Sequence, residues 1–310
     1  MMRIAVPDLV SNSYFPAIAA AQLGLFKEQG LDLTLELVSP LDQCVTALKD
    51  GYVTFIAASA HAPLLAFPQW EGAKLLCAQA QGTYWFLVMR KDLHVARGDL
   101  TALKQRRIAA VPFVGAVLRE LLKAAGIDPE SENISIMVPE SARKPGVNFG
   151  VAVAEGLSDG SIDGFFANGM GAAVAVQQGI GDIILDVRRG DGPAECFQYT
   201  LGAISTTDQV IHDMPGVAAS VIRAIRKSQV MLKADINHAT AAARKLFPER
   251  EVRLIAEVVA RDLPYYSPAI SREFVQAMNR YTRKVGLLNA DVPYNKIVAT
   301  EFSHLWAEDT

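Results

Sequence analysis

The chain has 310 residues, 51% hydrophobic and 20% charged, which is too long for one small core and too apolar for a disordered polymer, so two packed domains are expected. Its 30 Lys and Arg against 33 Asp and Glu leave a net charge of −3, with no electrostatic footprint for nucleic acid. No run approaches the roughly 18 apolar residues of a membrane span, so membrane insertion is not expected.

Cys44, Cys77 and Cys196 are odd in number, far apart and without a CxxC pair. They predict free buried thiols and neither a disulfide framework nor a zinc knuckle. No metal and no cofactor is predicted. No charged region, apolar stretch and small-residue cleavage site precedes the first strand. The expectation is therefore a periplasmic or cell-envelope protein if a signal peptide has been removed, and a cytoplasmic one if this is the complete chain.

In chain order, residues 3–7 read as a strand, 8–14 as a polar loop and 15–26 as a helix. Gly24 and Gly30 then turn the chain into a second strand, where Leu31, Leu33, Leu35 and Leu37 alternate with Asp32, Thr34 and Glu36 at period two. Residues 42–50 predict a short helix closed by Gly51, 53–57 a buried strand, 63–70 a helix and 74–79 a strand. This alternation argues for a mostly parallel sheet.

Residues 83–90 form a β-rich run suited to crossing between domains. The same grammar then recurs: strand 107–110, helix 116–125, strand 133–138, helix 147–157, strand 164–167, helix 171–179 and strand 183–187. After a strand at 201–206 the chain reads as helices at 217–234, 238–246, 249–262, 271–285 and 294–307, punctuated by Pro248, Pro264, Pro268 and Pro293.

The run Gly24-Leu-Phe-Lys-Glu-Gln-Gly-Leu31 resembles the signature of the nitrate/sulfonate/taurine-type solute-binding proteins, the SsuA/THI5-like (NMT1) family. Leu48-Lys-Asp-Gly-Tyr-Val-Thr-Phe-Ile56 is similar to a second family run, with Thr54 where the family usually has Asp. Val88-Met-Arg-Lys-Asp92 is similar to its crossover strand, and Leu157-Ser-Asp-Gly-Ser-Ile-Asp-Gly-Phe165 to the matching run of the second domain. The resemblance covers about residues 1–305. It implies an α/β, two-lobed type II periplasmic-binding-protein fold with two mostly parallel sheets flanked by helices, two crossover strands and a ligand clamped between the lobes. Lobe I would be 1–88 plus 190–310 and lobe II 91–187, with hinges near 88–91 and 187–190.

Open α/β sheets bind ligands at the C-terminal ends of their strands. The candidates there are Asn12, Ser13 and Tyr14; Ser39 and Asp42; Ser59 and His61; Thr83 and Trp85; Phe113 and Gly115; and Phe166 with Asn168. Ser39 and Ser59 each precede a predicted helix, where a hydroxyl either caps the helix or meets an anionic ligand group. His61 is either a ligand contact or a satisfied helix-start histidine. Trp85, Phe113, Phe165 and Phe166 either stack on a flat ligand or fill the core. Arg188-Arg189 reads as a solvated loop pair in preference to a counter-charge.

No GxSxG, HExxH, P-loop or GxGxxG motif stands in the right context. A binding protein without chemistry is the leading expectation: it holds a small organic ligand (aromatic, heteroaromatic or organosulfonate-like) and partners an ABC permease. The alternatives are a cytoplasmic enzyme on the same fold, in aromatic-acid or pyrimidine/thiamine-precursor metabolism with His61 as candidate acid or base, and a metabolite sensor.

Overall fold

A computed structural model describes residues 2–143 and 149–307. The chain divides into two compact units, residues 1–82 with 200–310, and residues 83–199. Among the described residues each unit holds one five-stranded sheet.

In the first unit β1 (Met2–Val6) leads through α1 (Phe15–Gln22) and α2 (Leu25–Glu28) to β2 (Leu33–Leu37). Then α3 (Leu41–Lys49), β3 (Phe55–Ser59) and β4 (Ala73–Ala80) follow. After the second unit the chain returns as β10 (Gly202–Thr207). The order is β2-β1-β3-β10-β4, with β1 parallel to β2 and β3, and β10 antiparallel to β3 and β4.

The second unit repeats this plan. Its elements are β5 (Phe86–Arg90), β6 (Arg107–Ala109), α4 (Pro112–Ala124), β7 (Ser135–Met137), α5 (Phe149–Asp159), β8 (Gly164–Ala167), α6 (Gly169–Gln177) and β9 (Gly181–Asp186). The order is β7-β6-β8-β5-β9, and β5 runs antiparallel to β8 and β9. Sequence reading places the passages between the units near 88–91 and 187–190; the units divide at 82/83 and 199/200. All of β5 is paired with β8 or β9, so the expected crossover strand belongs to the second sheet.

The C-terminal helices α7 (Asp208–Asp213), α8 (Pro215–Ala234), α9 (Asn237–Ala243), α10 (Glu249–Asp262), α11 (Arg272–Lys284) and α12 (Tyr294–Ile297) complete the first unit. α11 shows why they form. Ser271 accepts from the Phe274 N–H at 3.0 Å as its N-cap, and Phe274, Val275, Met278, Tyr281 and Thr282 fall on one buried face.

Several predicted elements differ. Helix 15–26 breaks at Gly24, which adopts φ +79 between α1 and α2. Helix 63–70 is two 3-10 turns, Ala62–Leu65 and Pro68–Trp70, with Gln69 and Trp70 at positive φ. The predicted helix 294–307 is interrupted after Ile297, where Val298 bridges to Leu75 beside β4, and resumes as a 3-10 helix over Thr300–Trp306. Leu37, expected on the apolar face, is 55% exposed on the edge strand β2. The first two residues of the predicted helix 147–157 lie outside the described residues. Cys44, Cys77 and Cys196 are free and buried, as expected.

Gln79, fully buried on β4, joins three elements. Its Oε1 accepts the Ala17 N–H at 3.1 Å and its Nε2 donates to the Ala203 carbonyl of β10 at 3.1 Å. Ala17 lies in the first turn of α1, where the N–H has no intrahelical acceptor. Gln79→Leu keeps the volume but strands both groups, and is expected to lower unfolding free energy by roughly 2–4 kcal/mol, read by urea denaturation.

Candidate functional site

In the first sheet the connection from β1 leads to one side and that from β3 to the other, so the topological switch point lies between β1 and β3. The loops after these two strands are residues 7–14 and 60–61. Because β10 is antiparallel, its first residue, Gly202, pairs with Ser59 at the same edge.

The β1 loop is anchored from several directions. The Asp8 carboxylate accepts the N–H of Val10 at 3.0 Å and of Ser11 at 2.6 Å, both on Oδ1. Ser13 Oγ donates to Asp262 Oδ2 of α10 at 3.2 Å, and the Tyr266 hydroxyl donates to the Asn12 carbonyl at 2.6 Å. Gly202 admits the loop from below: a Cβ there would lie 2.6 Å from the Ser13 carbonyl oxygen. Tyr14 OH and Ser59 Oγ stand 3.5 Å apart, at the limit of a hydrogen bond. Ser11 and Asn12 are 1% and 2% exposed, and Ser11 Oγ and both polar atoms of the Asn12 amide have no hydrogen-bond partner among the described residues.

Sequence reasoning passed over Asp8 and Ser11. The signal was present: an Asp two and three residues before backbone donors, directly after a strand, is the pattern of an Asx turn. Burial pushes the Asp8 carboxyl up to about 6, against its two backbone donors.

Other predicted candidates lie elsewhere in this unit. Ser39 and Asp42 are both exposed at the start of α3, Asp42 in the helix's first turn. Pro40 holds the N-cap there without a side-chain bond, so Ser39 is no cap. Ser59 is the last residue of β3, and the following turn has His61 at its N-cap, so Ser59 is no cap either. His61 is fully buried, with Nδ1 2.9 Å from Thr200 Oγ1 and its ring edge-on to Tyr281 of α11 at 5.3 Å. Desolvation lowers its pKa to about 3, so the imidazole is neutral at physiological pH.

The second unit has its own strand edge, with the switch point between β6 and β8. The antiparallel β5 brings Trp85, the residue before it, to that edge. Trp85 is 4.5 Å from Tyr84, 6.5 Å from Phe113 in the first turn of α4 and 6.1 Å from Phe166 of β8, ring centre to ring centre. Arg188 corrects the solvated-pair expectation: it is 5% exposed, and its guanidinium lies 5.5 Å from the centre of the Tyr84 ring. Arg189 pairs with buried Asp186.

Thr83 is buried, its N–H donating to the Phe197 carbonyl at 2.9 Å and its hydroxyl to the Cys196 carbonyl at 2.6 Å. It fastens the segment that enters this unit to the one that leaves it. Asn168 caps α6, its Oδ1 accepting from Gly171 at 3.4 Å. Gly115 lies inside α4, where a Cβ would press to 3.2 Å from Ile136, which gives it a packing reason. No group of three or more His, Cys, Asp or Glu that would hold a metal occurs among the described residues, and no described helix is long and apolar enough to cross a membrane.

The profile of the NMT1/THI5-like family matches residues 11–235. No curated protein sequence matches significantly. Among solved structures, the chain is similar to a protein from Bordetella bronchiseptica RB50 at TM-score 0.75 and 17% identity, covering 98% of this chain and 95% of that one. The periplasmic aliphatic sulphonate binding protein SsuA from Escherichia coli matches at 0.71 and 12%, covering 96% and 91%. The desulfurization enzyme DSZB matches at 0.67 and 13%, covering 98% of each chain. The chain belongs to the NMT1/THI5-like family, and its fold is the α/β type II periplasmic-binding-protein fold.

The depressed His61 pKa has a measurable consequence. The unfolded chain binds a proton near pH 6.5 and the folded one only near 3, so the stabilisation is complete above 6.5 and is lost as pH falls toward 3. Between pH 7 and 5 the loss is about 2 kcal/mol. It is read as the difference in urea-unfolding free energy between wild type and His61→Gln, which lacks the titrating group.

Proposed function

We propose that this chain is a solute-binding protein, the substrate-binding component of an ABC importer, and that it holds a small, flat organic molecule at its strand-end loops. The observation that carries the reading is the cluster of Ser11 Oγ, Asn12 Nδ2 and Asn12 Oδ1, buried without partners among the described residues beside the switch point. An unpaired buried polar group costs about 1–3 kcal/mol. Three of them on one anchored loop are explained when a partner from outside the chain offsets that cost. The rings of Tyr84, Trp85, Phe113 and Phe166 support a flat ligand.

Membership of the family supports the importer role, as does likeness to a sulphonate binding protein. The permease would be the protein partner, and an envelope location goes with that role. A heteroaromatic, an aromatic carboxylate or an organosulfonate each brings polar groups that Ser11 and Asn12 can meet. A second reading, an enzyme on the same fold, is supported by the likeness to the desulfurization enzyme DSZB. His61 is a poor acid or base for it, since it is buried and neutral.

Titration of tryptophan fluorescence with benzoate, benzenesulfonate, 2-aminopyrimidine and benzamidine tests the proposal. Saturable binding is expected for at least one probe. Asn12→Ala is expected to weaken it roughly tenfold or more, the value of one or two buried hydrogen bonds. Consumption of a bound probe would replace the binding reading with the enzymatic one.

A further inference from the structure

Asp8 carries the features of a ligand-contacting carboxyl. Its two hydrogen bonds both fall on Oδ1, from the N–H groups of Val10 and Ser11. Those two bonds fix the orientation of the carboxyl and leave Oδ2 without a hydrogen bond from any described residue. The fixed carboxyl stands in the same loop as the unpartnered Ser11 hydroxyl and Asn12 amide, at the strand end beside the switch point.

The charge around it points the same way. Asp8 is half-buried, no described Lys, Arg or His forms an ion pair with it, and desolvation, opposed by its two backbone donors, accounts for its raised pKa. The titratable group coupled to it from a neighbouring element is Cys44 of α3, whose thiol is pushed up to about 12 and stays uncharged. An ionised carboxylate in this position lacks a counter-charge. An anionic ligand group beside it would add a like charge, whereas an N–H donor would supply the missing partner.

We propose that Asp8 contacts the ligand through Oδ2 and selects a nitrogenous N–H donor, of the amidine or aminoheterocycle class, over an aryl anion. This narrows the ligand class of the solute-binding reading and rests on it. At pH 7.5 Asp8 is ionised and donor ligands are favoured; near pH 5 the carboxyl holds its proton and the preference shrinks.

The test uses the full chain, with benzamidine (a cation throughout this range) and benzenesulfonate as calorimetric probes at pH 7.5 and pH 5. Wild type is expected to bind benzamidine at least tenfold tighter than benzenesulfonate at pH 7.5, with the ratio falling several-fold at pH 5. Asp8→Asn keeps an Oδ1 for the two backbone donors and is expected to lose the preference and its pH dependence.

A ligand-free measurement accompanies it. The folded chain keeps the Asp8 proton to about pH 6 and the unfolded chain releases it near 3.8, so wild-type stability relative to D8N falls as pH rises from 4 to 6 and is level above. Parallel stability curves, or equal benzamidine affinity in wild type and D8N, would overturn the assignment of Asp8. Tight benzenesulfonate binding unaffected by D8N would also overturn it, while the solute-binding reading stands. Binding of none of the four probes named above by wild type would remove both. If D8N does not fold, the wild-type preference and its decline at pH 5 decide the matter alone.

Discussion

The arrangement at each candidate site depends on one constraint: a single antiparallel strand is inserted into each otherwise parallel set. β10 lies between β3 and β4, and β5 between β8 and β9. A parallel strand enters a sheet at the edge opposite the candidate loops, whereas an antiparallel one enters at the candidate edge itself. Gly202 is therefore beside Ser59, and Trp85 sits at the mouth of β8. The close approach of the Ser13 carbonyl to Gly202 follows from this register, and so does the reach of Gln79 to the Ala203 carbonyl.

That geometry makes the β1 loop unusually dependent on distant sequence. Its residues are held by Asp8 from within, but by Asp262 and Tyr266 from some 250 positions downstream. The C-terminal helices thus act as the back wall of the first site as well as the cover of its sheet. Desolvation is the common consequence. It drives the buried His61 to the neutral form and the half-buried Asp8 toward the protonated one, opposite directions of titration arising from one cause, because each group resists carrying charge where access to water is reduced.

Much of this was legible in the chain itself. The alternation of strands and helices, and the Gly24–Leu31 signature, indicate the fold class and the family. Strand-end loops indicate Asn12 to Tyr14, Trp85, Phe113 and Phe166. What the sequence could not display was long-range pairing. The break of the last helix at Val298 is made by Leu75, more than 200 residues earlier. The burial of Arg188 depends on Tyr84, and the packing of Gly115 on Ile136. Ser39 and Ser59 failed as caps for a local reason: neither occupies the residue at which the following helix or turn begins. Asp8 was passed over because it stands in a polar loop, where a carboxylate is ordinary until the fold takes part of its solvent away.

The two sheet edges also differ in chemistry although they share a topology. The first offers hydroxyl, amide and carboxyl groups on a loop anchored by hydrogen bonds; the second offers four packed rings and a guanidinium against one of them. Rings give contact area with little sensitivity to exact position, because dispersion falls off gently over the size of a ring. Hydrogen-bonding groups discriminate sharply, since a mismatched ligand leaves them buried and unpaired.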